Sequence, residues 1–368
     1  MRAIHQFLPD LSPGDAVSGH TLAIQDELRA MGLESEVYSH TAHASLAGRA
    51  KPYRSYAPSG GGAGGGGVRL LYHLAIGSVV ADFVAQRPER LLVDYHNLTP
   101  GEFFAGWDPS VVYGQSWGRQ QLAALADRTE LGLADSGFNR GELVDAGYRA
   151  TTVVPILLDT GSFDRDVDHA ALERLQGAKA RGGADWLFVG RVVPNKAQHD
   201  VVKAFAAYRR VFDPEARLHL VGGTSVPAYA AALERYVAAL GLAGAVELAG
   251  PVTPGVLAAQ YRAADAFVCL SDHEGFCVPL LEAMHHEVPI VALAAAAVTE
   301  TLRHGGIVLD EKAPVTVAAA VHRVLTDAPL RASLVAAGQA RLADFSLARA
   351  RARLRDAIES LDAAGVGA

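Results

Sequence analysis

Two glutamates stand eight positions apart in the stretch 272–282, which reads DHEGFCVPLLE. An apolar, strand-like run ends at Leu270, so Glu274 is expected in the loop that follows it. Pro279 is typical of a first helical turn, and Glu282 is expected to project from that turn. Free backbone N–H groups at such a helix start suit a phosphate or sugar oxygen, and here they would belong to Phe276, Cys277, Val278 and Leu280. Taken alone, the two glutamates could equally be solvated carboxylates beside an ordinary helix start.

Two basic residues, Arg191 and Lys196, follow another strand-like run that ends at Val189, and a helix is predicted over 198–210. This places both cations at the carboxyl end of a strand, where α/β sheets bind ligands. A diphosphate leaving group gains negative charge as its bond to a sugar breaks, and two fixed cations would stabilise that charge without a metal ion. The alternative is a solvated arginine and lysine near a helix start. The presence of the glutamate pair in the same chain favours the functional interpretation.

Short apolar runs alternate with longer amphipathic stretches along the chain, which is typical of βα units and parallel sheets. The first series of strands is predicted at 3–8, 34–38, 69–74, 90–95, 131–134 and 152–156, with the clearest helix at 17–31. The second series is predicted at 186–189, 218–221, 246–248, 266–270, 289–292 and 306–309. The predicted fold class is therefore α/β, with two Rossmann-like domains.

The boundary between the domains is predicted in the polar, proline-marked stretch 155–164, which we interpret as a hinge. Residues 1–158 would form the first domain and residues 159–345 the second. A terminal helix is predicted within 346–368, and packing against the first domain is one option for it. The glycine-rich tract 59–67 is predicted to be a mobile loop, because each glycine carries a large ordering cost.

The composition is that of a globular protein, with 50% hydrophobic and 20% charged residues among 368, which is enough for two cores. A net charge of −7 lacks the basic excess that nucleic acid or an anionic membrane would need. No transmembrane run and no leader sequence are predicted, so a cytoplasmic location is expected, with peripheral attachment to the inner membrane left open. Cys269 and Cys277 are interpreted as buried thiols rather than as a disulfide framework or a four-ligand zinc site.

Taken together, the motifs resemble those of the retaining glycosyltransferases of family 4, which have the GT-B fold of two Rossmann-like domains facing a central cleft. The resemblance extends over nearly the whole chain. It rests on Gly190-Arg191 with Lys196, on LVGG at 220–223, on GPV at 250–252, and on the spacing of Glu274 and Glu282, which that family calls its E-x7-E motif. The amino-terminal match, GDAVSGH at 14–20, is weaker.

The resemblance implies roles for particular residues. Arg191 and Lys196 would hold the donor diphosphate, and Glu274 would meet the transferred sugar. Glu282 would bond the ribose hydroxyls, and Val252 would contact the base through its backbone. The other donor-site residues would be Gly190, Gly222, Phe276, Cys277, Val278, Leu280 and Gly14, the last of these in the loop after the first strand because a side chain there would block the phosphate.

Two histidines compete for a place near the reacting sugar. His96 follows a strand of the first domain, and relatives have a histidine at this strand end, so we favour it as the catalytic candidate. His73 ends the preceding strand and is the alternative. A structural histidine that donates to a backbone carbonyl would also fit His96. Two departures from the family leave the shape of the donor pocket open: Cys277 stands where glycine is common, and four alanines fill 294–297.

The predicted reaction is the transfer of a hexose from GDP-mannose or a UDP-hexose to a hydroxyl acceptor, with retention of configuration. The acceptor classes left open are a saccharide, a lipid-linked saccharide and a small metabolite. No bound cofactor and no metal are expected, because no Asp-x-Asp motif follows a strand. The alternatives are an epimerase or phosphorylase of the same fold, and a non-catalytic nucleotide-sugar-binding protein. Such a binding protein would be expected to have lost Glu274, Arg191 or Lys196, and all three are present.

Overall fold

The computed structural model describes residues 1–57, 67–180 and 182–364, which form two compact units. Unit 1 comprises Met1–Glu102, Ser110–Leu158 and the chain from Phe345 onward. Unit 2 comprises Phe103–Pro109 and Asp159–Asp344. No sequence pattern had indicated that the short segment Phe103–Pro109 would pack with unit 2.

The described part of unit 1 contains one parallel sheet of seven strands. They are β1 (Ala3–Leu11), β2 (Val37–Ala42), β3 (Lys51–Pro52), β4 (Val68–Leu74), β5 (Arg90–Tyr95), β6 (Thr129–Ala134) and β7 (Thr151–Val153). The order across the sheet is β3-β2-β1-β4-β5-β6-β7, so the direction of winding reverses between β1 and β4. The helices are α1 (Ala16–Ala30), α2 (Val79–Ala85), α3 (Pro109–Leu125) and α4 (Gly137–Asp145).

Helix α1 shows how the sequence sets the ends of an element. The Asp15 carboxylate accepts a hydrogen bond from the Ser18 N–H at 2.8 Å, which caps the first turn. At the other end Gly32 has a φ of +83°, and the Leu33 N–H reaches back to the Leu28 carbonyl at 3.0 Å. The helix predicted at 17–31, with Gly32 as its stop, is therefore confirmed to within one residue at each end.

The described part of unit 2 contains a parallel sheet of six strands. They are β8 (Asp185–Val189), β9 (Arg217–Val221), β10 (Val246–Gly250), β11 (Ala266–Cys269), β12 (Ile290–Leu293) and β13 (Ile307–Leu309). The helices are α5 (His169–Lys179), α6 (Gln198–Val211), α7 (Pro227–Ala239), α8 (Pro254–Ala263), α9 (Val278–His285), α10 (Val298–Leu302), α11 (Pro314–Thr326) and α12 (Ala328–Leu342). The order across the sheet is β10-β9-β8-β11-β12-β13, so here the winding reverses between β8 and β11.

The terminal helix α13 (Leu347–Ala364) belongs to unit 1. Its buried apolar residues join the same cluster as Ile4, Leu71 and Leu92, which lie on three neighbouring strands; the helix members are Ala350, Leu354, Ala357, Ile358 and Leu361. The spacing of these residues puts them on one face of the helix. None of the described helices combines the length and the hydrophobicity needed to cross a bilayer.

The structure differs from the predicted elements in several places. The first strand was predicted to end at residue 8 and continues to Leu11. The strand predicted at 34–38 begins at Val37, and Glu34 makes only an isolated bridge with Ala3. The strand predicted to reach residue 156 ends at Val153, shortly before Pro155, which has no N–H to continue a ladder. The two-residue strand β3 was not predicted, because it is exposed and has no apolar pattern. The glycine-rich tract lies outside the described residues, apart from Gly67.

Candidate functional site

The candidate site of unit 2 lies at the reversal point of its sheet. Lys196 follows β8 and Glu274 follows β11, and these two strands are hydrogen-bonded neighbours. In open parallel sheets the loops after two such strands diverge to opposite faces and leave a crevice that binds ligands. Strand order therefore brings together two segments that are 78 positions apart in sequence.

Lys196 and Glu274 form the central contact of this site. The Lys196 ammonium donates to Glu274 Oε2 at 2.5 Å, and the two side chains are 19% and 6% exposed. Burial alone would lower the pKa of Lys196, but the Glu274 carboxylate outweighs it and raises that pKa above its ordinary value. The lysine is therefore charged at neutral pH, and both charges are held in a largely water-excluded place.

Hydrogen bonds to main-chain carbonyls fix the loops that carry this ion pair. The Asn195 side-chain amide donates to the His273 carbonyl at 3.2 Å, and the Asp272 N–H donates to the Asn195 carbonyl at 2.8 Å. The Ala297 N–H donates to the Glu274 carbonyl at 3.1 Å, so the alanine-rich loop after β12 supports the same segment. The positions of Lys196 and Glu274 are thus set by three strand-end loops.

The glycines predicted for this site have a packing role. Gly222 has a φ of +147°, and a Cβ built there would lie 2.1 Å from the Gly190 carbonyl oxygen. The loops after β8 and β9 can therefore approach each other only if residue 222 is glycine. Arg191, next to Gly190, is exposed; its carbonyl accepts a hydrogen bond from the Gln198 side chain at 2.8 Å, whereas its guanidinium has no hydrogen bond or ion pair within the described ranges. Its guanidinium is consequently available to a ligand, whereas the Lys196 ammonium is already paired.

The turn before α9 adopts the conformation that glycine favours. Cys277 has a φ of +72°, in the left-handed region, which accounts for glycine being common at this place in the family that the sequence resembles. The Thr301 hydroxyl donates to the Phe276 carbonyl at 2.7 Å, and the Leu280 N–H donates to the Cys277 carbonyl at 3.1 Å. The prediction that the Leu280 N–H is free for a ligand is therefore wrong, because the turn uses it. Val278 is partly exposed at the helix start.

Glu282 lies in the second turn of α9, not in the first as predicted, because the helix begins at Val278. The Tyr261 hydroxyl donates to Glu282 Oε2 at 2.8 Å. Burial raises the pKa of Glu282 to about 7, and the hydrogen bond from Tyr261 opposes this only in part. Val252 is partly exposed in the turn between β10 and α8. A carboxyl group with a pKa near neutrality can accept or donate a hydrogen bond as the pH changes.

In unit 1, the predicted histidines form a buried chain. His96 Nδ1 faces Asp135 at 3.0 Å, His96 Nε2 faces His73 Nδ1 at 3.0 Å, and His73 Nε2 faces the Gln6 amide oxygen at 2.9 Å. The assignment that satisfies these contacts makes His96 a cation with both N–H groups donating and makes His73 neutral. Burial alone would lower the pKa of His96, but Asp135 and Asp94 raise it to about 9, whereas burial lowers the pKa of His73 to about 4.

A third histidine, His20 of α1, belongs to the same cluster and was not singled out from the sequence. Its Nδ1 accepts the Leu157 N–H at 2.8 Å, so its Nε2 carries the proton and donates to Asp94 Oδ2 at 3.0 Å. Both side chains are 0% exposed. The second oxygen of Asp94 has no hydrogen-bond partner among the described residues. The only sequence signal for His20 was its place at the end of the run GDAVSGH at 14–20.

The other predicted positions of unit 1 are placed as follows. The His96 ring is 1% exposed and the His73 ring is 0% exposed, and each ring nitrogen of both contacts a protein group. The choice between them as the histidine nearest a sugar stays a prediction. Gly14 is exposed with a φ of +74° in the turn before the capping Asp15, and no atom lies within 4 Å of a Cβ built there. Its backbone is therefore open to a ligand.

We expect the charge of His96 to make unit 1 less stable at high pH. The pKa of His96 rises from 6.5 to about 9 on folding, so its stabilisation is complete below pH 6.5 and is lost as the pH rises through 9. The contribution is of order 3 kcal/mol. The melting temperatures of the wild type and of His96→Gln should therefore differ most at about pH 6 and converge at about pH 10.

The matched control is His219→Gln in unit 2, because the pKa of His219 is also raised to about 9 against burial, by Asp185 and Glu247. His219→Gln should lose the pH dependence of the melting temperature that His219 contributes and keep the pH dependence that His96 contributes. An equal difference between wild type and His96→Gln at both pH values would contradict the prediction.

Comparison with known proteins gives a family-model match to part of the chain and two groups of similar proteins. Residues 173–341 match the family model of glycosyl transferases group 1. The D-inositol 3-phosphate glycosyltransferase of Geodermatophilus obscurus is 35% identical over 232 residues, which cover 61% of this chain and 50% of that protein. The enzyme of the same name from Thermomonospora curvata is 33% identical over 246 residues, covering 61% and 54%. The chain spans about half the length of these curated relatives.

Solved structures agree with the fold over nearly the whole chain. Anabaena HepE in complex with UDP has a TM-score of 0.73 at 18% identity, covering 97% of this chain and 100% of that one. Sucrose-phosphate synthase from Thermosynechococcus elongatus has a TM-score of 0.75 at 18% identity, covering 99% and 100%. The predicted GT-B fold, with two Rossmann-like α/β domains, is confirmed, and so is the resemblance to glycosyltransferases.

Proposed function

We propose that this chain, of which residues 173–341 match the family model of glycosyl transferases group 1, transfers a hexose from a nucleoside diphosphate sugar to a hydroxyl acceptor with retention of configuration. The observation that carries the proposal is the buried ion pair of Lys196 and Glu274 at the reversal point of the unit 2 sheet. A fixed cation in a water-excluded place is what the departing diphosphate requires, since its negative charge grows towards the transition state.

The proposed roles follow from charge and exposure. The exposed guanidinium of Arg191, which has no partner among the described residues, binds the diphosphate, and Lys196 stabilises the charge that develops on it. Glu274 orients Lys196 and contacts the sugar that is transferred. Glu282 accepts hydrogen bonds from the ribose hydroxyls, and Val252 contacts the base. The two cations supply the positive charge of a metal ion, so the reaction needs neither a metal nor a bound cofactor.

Two classes of donor are proposed, a UDP-hexose and GDP-mannose. The solved structures of HepE hold UDP and UDP-glucose, which supports the first of these. The acceptor is a hydroxyl compound, and the names of the sequence relatives favour a phosphorylated cyclitol among the small metabolites. Saccharide and lipid-linked acceptors complete the panel to be tested.

The experiment measures nucleotide release from UDP-glucose and GDP-mannose, with and without each acceptor and with excess EDTA. We expect acceptor-dependent release of one nucleotide that survives EDTA, and an α-configured product detected by NMR. A requirement for inorganic phosphate would instead indicate a phosphorylase. Binding of a donor without any release would indicate a non-catalytic protein, and loss of turnover in EDTA that magnesium or manganese restores would contradict metal independence.

Donor affinity is predicted to depend on the ionisation of Glu282. Because burial raises the pKa of this carboxyl to about 7, a proton occupies it at lower pH and removes an acceptor for the ribose hydroxyls. The KM for the donor should therefore rise about tenfold per pH unit below pH 7, with little change in kcat, since a ribose contact is equal in ground and transition states. Steady-state kinetics between about pH 5 and pH 8 measure this.

The variant Glu282→Gln should have a raised KM that no longer depends on pH in this range. Glu173→Gln is the matched control, because Glu173 is an exposed glutamate of α5. A KM that stays constant in the wild type from pH 8 to pH 5, or a pH dependence that Glu282→Gln keeps, would contradict the assignment.

A further inference from the structure

Two thiols and a carboxylate converge in unit 2 and form what we call the thiol cluster, Cys269, Glu274 and Cys277. Cys269 is the last residue of β11, Cys277 is the residue that precedes α9, and Glu274 lies in the loop between them. One ligand atom of each residue lies within 4.8 Å of the other two. All three residues are buried, with Cys269 2%, Glu274 6% and Cys277 7% exposed.

The donor set of the thiol cluster suits a thiophilic divalent cation. Thiolate sulfur selects Zn²⁺ and Cd²⁺, whereas Mg²⁺, Ca²⁺ and Mn²⁺ prefer oxygen ligands only. Two sulfur atoms and one carboxylate oxygen are three of the four positions of a tetrahedral zinc site, which leaves one position for a water or a substrate oxygen. Zinc–sulfur bonds about 2.3 Å long hold two sulfurs of a tetrahedral site about 3.8 Å apart, so ligand atoms that lie within 4.8 Å of one another need to approach by at most about 1 Å.

The charges of the site also balance when such a cation is bound. At present the Glu274 carboxylate is neutralised by the Lys196 ammonium at 2.5 Å, and the two thiols are uncharged when protonated. A divalent cation that displaces both thiol protons leaves two thiolates, one carboxylate, one ammonium and the cation, whose charges again sum to zero. The exchange therefore places no net charge in a buried site, and the two protons go to solvent.

We propose that Cys269, Cys277 and Glu274 bind one thiophilic divalent cation, Zn²⁺ or Cd²⁺, and that the bound cation inhibits the protein by taking the Glu274 carboxylate from Lys196. The binding site stands on geometry alone, whereas the inhibition rests on the proposed transferase function. The bound cation inhibits because it becomes the partner of the Glu274 carboxylate. The ion pair that holds Lys196 in place is thereby lost. A reaction that needs no metal is thereby sensitive to a particular class of metal.

The test is a titration of the reduced, EDTA-treated full chain with Cd²⁺, followed by the ultraviolet charge-transfer absorption of cadmium–thiolate bonds. The chain has only two cysteines, so any such absorption comes from them. We expect saturation at one cation per chain, with competition by Zn²⁺. Cys269→Ser and Cys277→Ser should each weaken binding by at least about 10–100-fold, and Glu274→Gln should weaken it while keeping the thiolate absorption.

A second variant guards against failure to fold. Cys277→Gly removes the thiol and suits the left-handed backbone at φ +72°, so it keeps the turn even where serine does not. Absence of charge-transfer absorption at a clear excess of Cd²⁺, or binding of two cations with one thiolate each, would overturn the proposal.

Activity measurements distinguish the proposed metal site from the proposed transferase function. Zn²⁺ should inhibit glycosyl transfer by the wild type and should inhibit Cys269→Ser at least about tenfold more weakly. A saturable cadmium site in a chain without transferase activity would leave the metal site standing and remove the proposed function. Transfer that Zn²⁺ inhibits equally in both proteins would overturn the inhibition.

Discussion

Lys196→Ala is expected to lower kcat by about 10²–10³-fold and to change the KM for the donor far less. The Lys196 ammonium is charged and held at the reversal point of the unit 2 sheet by Glu274. It acts on charge that appears only as the sugar–phosphate bond breaks, so its loss is felt in the transition state more than in the bound donor. Steady-state kinetics with the preferred donor measure both constants.

The matched control for this substitution is Lys203→Ala. Lys203 lies on α6, seven positions after Lys196, but its side chain is 42% exposed, and its ammonium pairs with Asp200 at 2.9 Å. Its removal should leave kcat within about twofold, because exposed ion pairs contribute little. Equal losses of kcat in the two variants would show that a general loss of charge, rather than the position of Lys196, is responsible.

A structural effect has to be separated from the catalytic one. The Glu274 side chain is only 6% exposed beside Lys196. Lys196→Ala removes the cation that neutralises this carboxylate, and an unpaired buried charge destabilises the fold. Lys196→Ala with Glu274→Gln removes both charges and should recover the melting temperature but not kcat. Arg191→Ala should also lower kcat, and without this complication, since the Arg191 guanidinium is exposed and unpaired within the described ranges. Recovery of kcat in the double variant would contradict the catalytic role.

Asp94→Ala is expected to destabilise unit 1 by about 3–5 kcal/mol. Asp94 Oδ2 accepts from His20 at 3.0 Å and lies 3.3 Å from His73 and 3.6 Å from His96, all within a cluster that excludes water. Alanine would leave the His20 N–H without a partner and the His96 cation with Asp135 alone. The loss is measured as a fall in melting temperature and in the denaturant midpoint of unit 1.

Two controls define this result. Asp127→Ala removes an exposed aspartate that pairs with Arg149 at 3.3 Å, and it should give no resolvable change because both side chains are more than 80% exposed. Asp94→Asn keeps an acceptor for His20 while removing the charge, so it should fall between alanine and the wild type. If Asp94→Ala had the same melting temperature as Asp127→Ala, the stability of unit 1 would not depend on the Asp94 carboxylate.

The sequence predicted the elements well wherever an apolar run had clear ends. The strand at 90–95 was predicted with the bounds that the structure has, and the strands of unit 2 were predicted to within two residues. Errors arose where the local pattern was weak. β3 has no apolar residue facing a core. The start of α9 had to be inferred from Pro279 alone, one residue too late, so Glu282 was predicted in the first turn and lies in the second.

The sequence by itself determined the fold class, the two series of βα units and the residue types that carry the chemistry, because periodicity, turn residues and charged motifs are local properties. Only the tertiary structure decided which of these residues meet. Lys196 and Glu274 are 78 positions apart, and His20 and Asp94 are 74 apart. Such pairs depend on which strands are neighbours in the sheet, and that order follows from packing of the whole chain. The same packing sets burial, which raises the pKa of Glu282 to about 7. Burial alone would lower the pKa of His96, but packing also places Asp135 and Asp94 beside it, and they raise that pKa to about 9.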